Sequence, residues 1–164
     1  MRHFQRLAAL LLALILLFSP LSAQAANSSK SRRASKTDLS GKDFSGRSLV
    51  SAEFTNSNLE KSNFSNADLQ GAVFSDSILQ GVSLHGANFS NGVAHLVDLT
   101  GADLTDAILV EAIMLRTTFD GADITGADFS YAVLDGEQAK ALCDRAKGVN
   151  SKTGVATRDS LECK

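Results

Sequence analysis

Ala67-Asp68-Leu69-Gln70-Gly71-Ala72-Val73-Phe74-Ser75-Asp76 runs twice through one five-residue plan: a small residue, a variable one, a large apolar one, then two polar ones. Stepping by five in both directions from Leu69 gives Leu39, Phe44, Leu49, Phe54, Leu59, Phe64, Leu69, Phe74, Leu79, Leu84, Phe89, Ala94, Leu99, Leu104, Leu109, Met114, Phe119, Ile124, Phe129 and Leu134. All twenty are apolar. Two positions earlier, from Ala52 onward, the side chain is small in nearly every repeat.

Neither a helix, with 3.6 residues per turn, nor a strand, with period two, keeps a five-residue apolar register in step for a hundred residues. The chain must therefore turn once per repeat. If each repeat is one side of a square, four repeats close a coil with the large residue on the axis and the small one beside it. Twenty repeats then make about five coils, and with neighbouring coils ~4.8 Å apart the column is roughly 24 Å long. Each coil relies on its neighbours to bury its interior. The fold class is an all-β solenoid.

The A-(D/N)-(L/F)-x-x motif in Ala67-Asp68-Leu69-Gln70-Gly71, Ala87-Asn88-Phe89-Ser90-Asn91 and Ala102-Asp103-Leu104-Thr105-Asp106 resembles the pentapeptide-repeat family. The resemblance covers about Thr37 to Gly136 and implies a right-handed quadrilateral β-helix. Two departures stand out. Lys42 and Arg47 occupy the small inward position, where an unpaired charge is costly, so the first coil is expected to be frayed or open-ended. Ala94 puts a methyl group where a ring or isobutyl belongs, a thin spot in the core.

The ends differ from the body. Arg2 and Arg6, the apolar run Leu7–Phe18 and Ala23-Gln24-Ala25 have the order of a secretory signal, so residues 1–26 are expected to be removed on export. Residues 27–36 form a basic linker expected to be disordered. Residues 37–136 are the repeat column and 137–164 a tail. The column carries 4 basic and 14 acidic residues, which argues against a nucleic-acid binder. The apolar run Leu7–Phe18 has twelve residues, where a spanning helix needs about 20, and no later stretch is long enough to compensate.

Reading the repeats at a period of twenty stacks Val73, Val93, Ile113 and Val133 on one outer face, above Glu53, with Leu96 nearby. The equivalent positions elsewhere are mostly Asp, Asn or Ser. Contiguous exposed apolar surface often marks an interaction site; alternatively, the tail covers this ribbon, or the branched residues serve only an extended backbone. Asp38 and Asp98 share a face with Asn58, Ile78 and Thr118, and Asp68 and Asp128 share another with Asn88 and Ile108. Such stacks face solvent and converge on no cavity, so no catalytic residue, cofactor or metal site is expected. His85 and His95 project from opposite sides of the square and cannot share a metal.

In the tail, Glu137–Ala146 has helix formers with Ala139, Leu142, Cys143 and Ala146 on one side, and is expected to be a short helical cap over the last coil. Its Cys143 and Cys163 are the only cysteines. In an exported chain an even count favours a disulfide, and closing a loop of roughly twenty residues contributes about 3 kcal/mol; a redox-active pair is the alternative. The run from Leu142-Cys143 through Gly148, Asn150, Thr153-Gly154, Thr157-Arg158 and Ser160-Leu161 to Cys163 looks like the tail of lumenal pentapeptide proteins of plant and cyanobacterial thylakoids. That resemblance implies the thylakoid lumen or periplasm, in a cyanobacterium, and permits a thiol-disulfide-regulated role.

The function expected from all this is an exported structural or protein-interaction scaffold that is not an enzyme and has an unidentified protein partner. End-to-end and face-to-face self-association both stay open. Cytoplasmic pentapeptide columns that mimic DNA and bind topoisomerases offer a further alternative, which the leader disfavours.

Overall fold

A computed structural model describes residues 36–164. The expected signal segment 1–26, and the linker 27–36 apart from Lys36, lie outside the described residues. From Thr37 the chain climbs as a four-sided parallel β-helix in which each residue preceding a large apolar one bridges its counterpart twenty positions on. The short strands β1 (Thr37–Asp38) and β2 (Ser57–Asn58) open this ladder. Single bridges continue it on all four faces, ending with Ile108↔Asp128 and Ile113↔Val133. Two backbone hydrogen bonds recur at each step: Leu69 N–H donates to the Asn88 carbonyl (2.7 Å), and Asn88 N–H donates to the Ala67 carbonyl (3.0 Å).

The corner chemistry explains the pentad. The residue two after each large apolar one has positive φ at every corner from Gly41 (62°) to Tyr131 (60°). At most corners the N–H of the next residue then donates back to the carbonyl of the large one, as from Ala72 to Leu69 at 2.9 Å. Together these define a type II turn, whose third residue must have φ > 0. The Asp or Asn before the large residue braces the same turn, because its side chain accepts the N–H two residues on: Thr125 N–H to Asp123 Oδ1 is 2.9 Å and Ser130 N–H to Asp128 Oδ1 is also 2.9 Å.

One vertical edge is built differently. The backbone turn bond is missing at the corners ending in Ser57, Ser77, Val97 and Thr117. At two of these corners a hydroxyl of the coil above takes over: for the one ending in Ser57, Ser77 Oγ donates to the Phe54 carbonyl at 2.6 Å and accepts Ser57 N–H at 3.0 Å, and for the one ending in Val97, Thr117 Oγ1 donates to the Ala94 carbonyl. These hydroxyls satisfy buried backbone groups that would otherwise cost stability.

The axis is a continuous apolar core from Phe54 to Phe129, extended by Leu142 and Ala146 of the tail. Phe44 and Phe64 stack at 4.8 Å between ring centroids, and Phe54 and Phe74 at 4.9 Å. Between Phe74 and Met114, Ala94 leaves a cavity of about 10 Å³. Phe89 leans into the thin spot, and Gly92 makes room for it: a Cβ on Gly92 would lie 2.3 Å from the Phe89 ring.

The first coil is open-ended but not frayed. Lys42 and Arg47 are exposed, and the coil bonds the second along its sides, with Phe44 N–H to Asn63 O and Leu49 N–H to Asp68 O both 2.7 Å. At the other end, α1 (Gly136–Cys143) and α2 (Thr157–Ser160) fold against the last coil. The helix starts one residue earlier than expected, where Gln138 fixes its first turn by accepting Asp135 N–H at 2.8 Å, and it stops at Cys143 rather than Ala146. Beyond Asp144, Arg145 turns away to bond the column.

Candidate functional site: an apolar ribbon and a disulfide-held tail

The ladder brings the four ribbon residues into one vertical file, through the successive bridges Glu53↔Val73, Val73↔Val93, Val93↔Ile113 and Ile113↔Val133. Exposure rises along it. Val73 and Val93 are half-buried, while Ile113 is 41% and Val133 46% exposed. The tail does not cover the file. Leu96, 45% exposed, sits at the edge of the same face, and its N–H donates to the Leu115 carbonyl at 3.2 Å. Leu115 is half-buried two residues beyond Ile113 on this face, and it widens the patch. A sequence signal for Leu115 exists, since the residue just after each large apolar one also points outward, but only the preceding position shows an apolar file.

The other three faces are mostly polar files. The bridges align Asp38, Asn58, Ile78, Asp98 and Thr118 on one face, Asp43, Asn63, Ser83, Asp103 and Asp123 on the next, and Ser48, Asp68, Asn88, Ile108 and Asp128 on the third. Their carboxylates work within the fold. Hydrogen bonds from the side chain and N–H of Thr125 hold the Asp123 carboxyl below the ordinary carboxylate range. At Asp98 partial burial pushes upward, but hydrogen bonds from Thr100 and Gln80 outweigh it and the pKa is lowered. His85 Nδ1 meets Thr105 Oγ1 at 2.7 Å on the face opposite His95. Among the described residues no three His, Cys, Asp or Glu side chains gather as metal ligands, and no helix is long and apolar enough to cross a membrane.

The tail meets the column through backbone-directed side chains. Gln138 Nε2 donates to the Thr117 carbonyl, and Arg145 Nη2 to the Phe119 carbonyl at 2.6 Å. Ser160 Oγ accepts Phe129 N–H at 3.0 Å, and the Lys147 carbonyl accepts Gly126 N–H at 2.9 Å, where a further coil would have supplied its own carbonyl. Gly148 passes so near the wall that a Cβ there would lie 2.8 Å from Gly126 N. Asn150 is buried against the corner formed by Asp106, Ala107 and Gly126, and Lys152 Nζ reaches the Gly86 carbonyl at 2.5 Å. Cys143 and Cys163 are joined in a disulfide, with Cα atoms 5.5 Å apart, which ties the end of α1 to the residues after α2. Arg158 Nη1 donates to the Cys143 carbonyl at 3.0 Å beside it.

The family model for pentapeptide repeats matches residues 33–66, 57–92 and 98–136. This chain belongs to the pentapeptide-repeat family. A crystal structure of a pentapeptide repeat protein from the Arabidopsis thaliana thylakoid lumen is similar over 78% of this chain and 89% of its own, at 45% identity and a TM-score of 0.65. The fold is accordingly the right-handed quadrilateral β-helix of that family. Two curated Arabidopsis thaliana proteins share shorter segments. Thylakoid lumenal 15 kDa protein 1, chloroplastic, is 52% identical over 48 residues, 29% of this chain and 21% of that protein. Thylakoid lumenal protein TL20.3, chloroplastic, is 60% identical over 43 residues, 26% of this chain and 15% of its own length. The match thus spans about a fifth or less of either curated relative.

Proposed function

We propose that this pentapeptide-repeat protein is an exported, non-catalytic scaffold of the thylakoid lumen that binds a protein partner through the ribbon Val73, Val93, Ile113 and Val133, widened by Leu96 and Leu115. The observation that carries this reading is the contrast between faces. Three files are mostly polar, with a single isoleucine in each of two, while the fourth presents β-branched apolar side chains at four successive levels, uncovered by the tail. A convex wall of this kind suits docking and offers no concave site for catalysis. The likeness to lumenal relatives supports the compartment; the periplasm is the other exported location, and fractionating cells distinguishes the two. The tail acts as a cap, replacing some of the hydrogen bonds a further coil would make and closing the apolar axis.

The test is a double substitution, Val93→Asp and Ile113→Asp, compared with the wild type for partner capture in the native compartment. Loss of one specific partner with an unchanged melting curve supports the ribbon. Unchanged capture removes it. A second reading, redox control of the tail, rests on the disulfide being only half-buried at the surface of the cap. It requires the bridge to open at a potential within reach of a lumenal reductant, which thiol trapping across a redox series measures.

A further inference from the structure

The two ends of the column are not alike. At the tail end, Leu142 and Ala146 cover the apolar axis, and tail groups take up the Thr117 carbonyl and the Gly126 and Phe129 N–H groups of the last coil. At the first coil the ladder simply stops. In every higher coil the residue before the large apolar one uses both backbone groups: Asn63 N–H donates to the Lys42 carbonyl at 2.9 Å, and the Asn63 carbonyl accepts Phe44 N–H at 2.7 Å. The N–H and C=O of Asp43, Ser48 and Glu53, which hold the equivalent positions in the first coil, have no partner among the described residues. They surround an axis that is only half-covered, since Leu39, Phe44 and Leu49 are partly buried where their counterparts Leu59, Phe64 and Leu69 are wholly so. An open β edge around an apolar centre is a template for another strand.

We infer that this edge pairs with the same edge of a second copy, giving a closed end-to-end dimer with the two tails at its far ends. Three observations select a second copy. The rim is self-complementary in charge, with exposed Lys42 and Arg47 set among exposed Asp38, Asp43 and Glu53, so a two-fold axis brings each cation near the partner's carboxylates. The stretch Ala26–Lys36 contains no apolar side chain larger than alanine and supplies nothing to pack on the axis. The tail occupies the opposite end, so head-to-tail stacking into a filament is closed off. A two-fold axis across the column makes the facing coils run in opposite senses, so the strands meet antiparallel, with N–H groups of one copy opposite carbonyls of the other. This surface is separate from the ribbon, and the inference stands whether or not the ribbon binds a partner.

The experiment is sedimentation equilibrium on the protein in its naturally processed form, beside the double variant Lys42→Glu/Arg47→Glu and the single variant Ser48→Pro. The first makes the rim wholly acidic using exposed positions; the second removes one edge N–H and places a ring against the incoming strand. Circular dichroism melts check that both variants fold. The expected result is a dimer at about 50 µM with a dissociation constant raised at least tenfold in each folded variant. Should Ser48→Pro fail to fold, the charge variant alone decides. Amide exchange supplies the second readout: Asp43, Ser48 and Glu53 are protected in the dimer and exchange freely after dilution. A monomer at that concentration, or a dimer indifferent to the charge variant, overturns the inference.

Discussion

Replacing Asn150 by Ala tests how the tail is held to the column. Asn150 is 1% exposed, and its side chain works in both directions. Nδ2 donates to the carbonyls of Asp106 (3.1 Å), Ala107 (3.2 Å) and Gly126 (2.9 Å), and Oδ1 accepts the N–H groups of Lys152 and Thr153, both at 3.0 Å. The amide thus joins two coils to the turn that carries Ser151, whose own N–H reaches Asp106 Oδ1 at 3.0 Å. Alanine strands about four polar groups in a buried spot, each worth about 1 kcal/mol net and more if left dry. Lifting the loop lets water in and recovers part of that loss. The expected destabilisation is about 2–4 kcal/mol, a fall in Tm of roughly 6–15 °C by circular dichroism. Amide exchange should rise first at Gly126 and Gly154. Asn150→Asp should be at least as damaging, because a carboxylate would face three carbonyl oxygens. A loss under about 1 kcal/mol for Asn150→Ala refutes the idea that this residue anchors the tail.

Three further perturbations follow from the same geometry. Gly92→Ala forces the Phe89 ring out of its place beside Ala94 and should cost about 1–3 kcal/mol by chemical denaturation. Replacing Cys143 and Cys163 together by Ala removes a cross-link spanning 20 residues and should lower stability by about 3 kcal/mol while leaving the far-ultraviolet spectrum of the column intact. The Asp98 and Asp123 carboxyls titrate lower in the folded state than in the unfolded one. Their contribution is therefore present above the ordinary carboxylate pKa and lost as pH falls through the lowered values. Tm should stay flat from neutrality to about pH 5 and decline only below about pH 4.

The column was legible because its period is. A five-residue register held from Leu39 to Leu134 admits one way of turning, and folding it at twenty placed Val73 above Glu53 and Ile113 above Val93, as the bridges show. Depth was not legible: the period says that Val73 and Ile113 share a file, while their different exposures depend on neighbouring corners. Leu115 is not legible in the sequence, because the file that contains it also holds His95 and Asp135 and forms no apolar column. The hydroxyl-built corners are readable in principle as Ser77 and Thr117, forty residues apart in one file. In the sequence they are indistinguishable from other small residues, since nothing there shows that the turn bond at that corner is missing. In the tail, Asn150 looked like one polar residue among many. Its role comes from long-range contacts with Asp106 and Gly126, which no local pattern encodes.

The binding claim for the ribbon is tested most directly by site-specific photo-crosslinking in intact cells. A photoreactive residue is placed at Ile113 and, in a separate protein, at Asp103 on the opposite face. The account predicts one discrete heterologous adduct from position 113 and none from position 103. Equal labelling from both faces, or none from position 113 while the protein is folded and in its compartment, would contradict it.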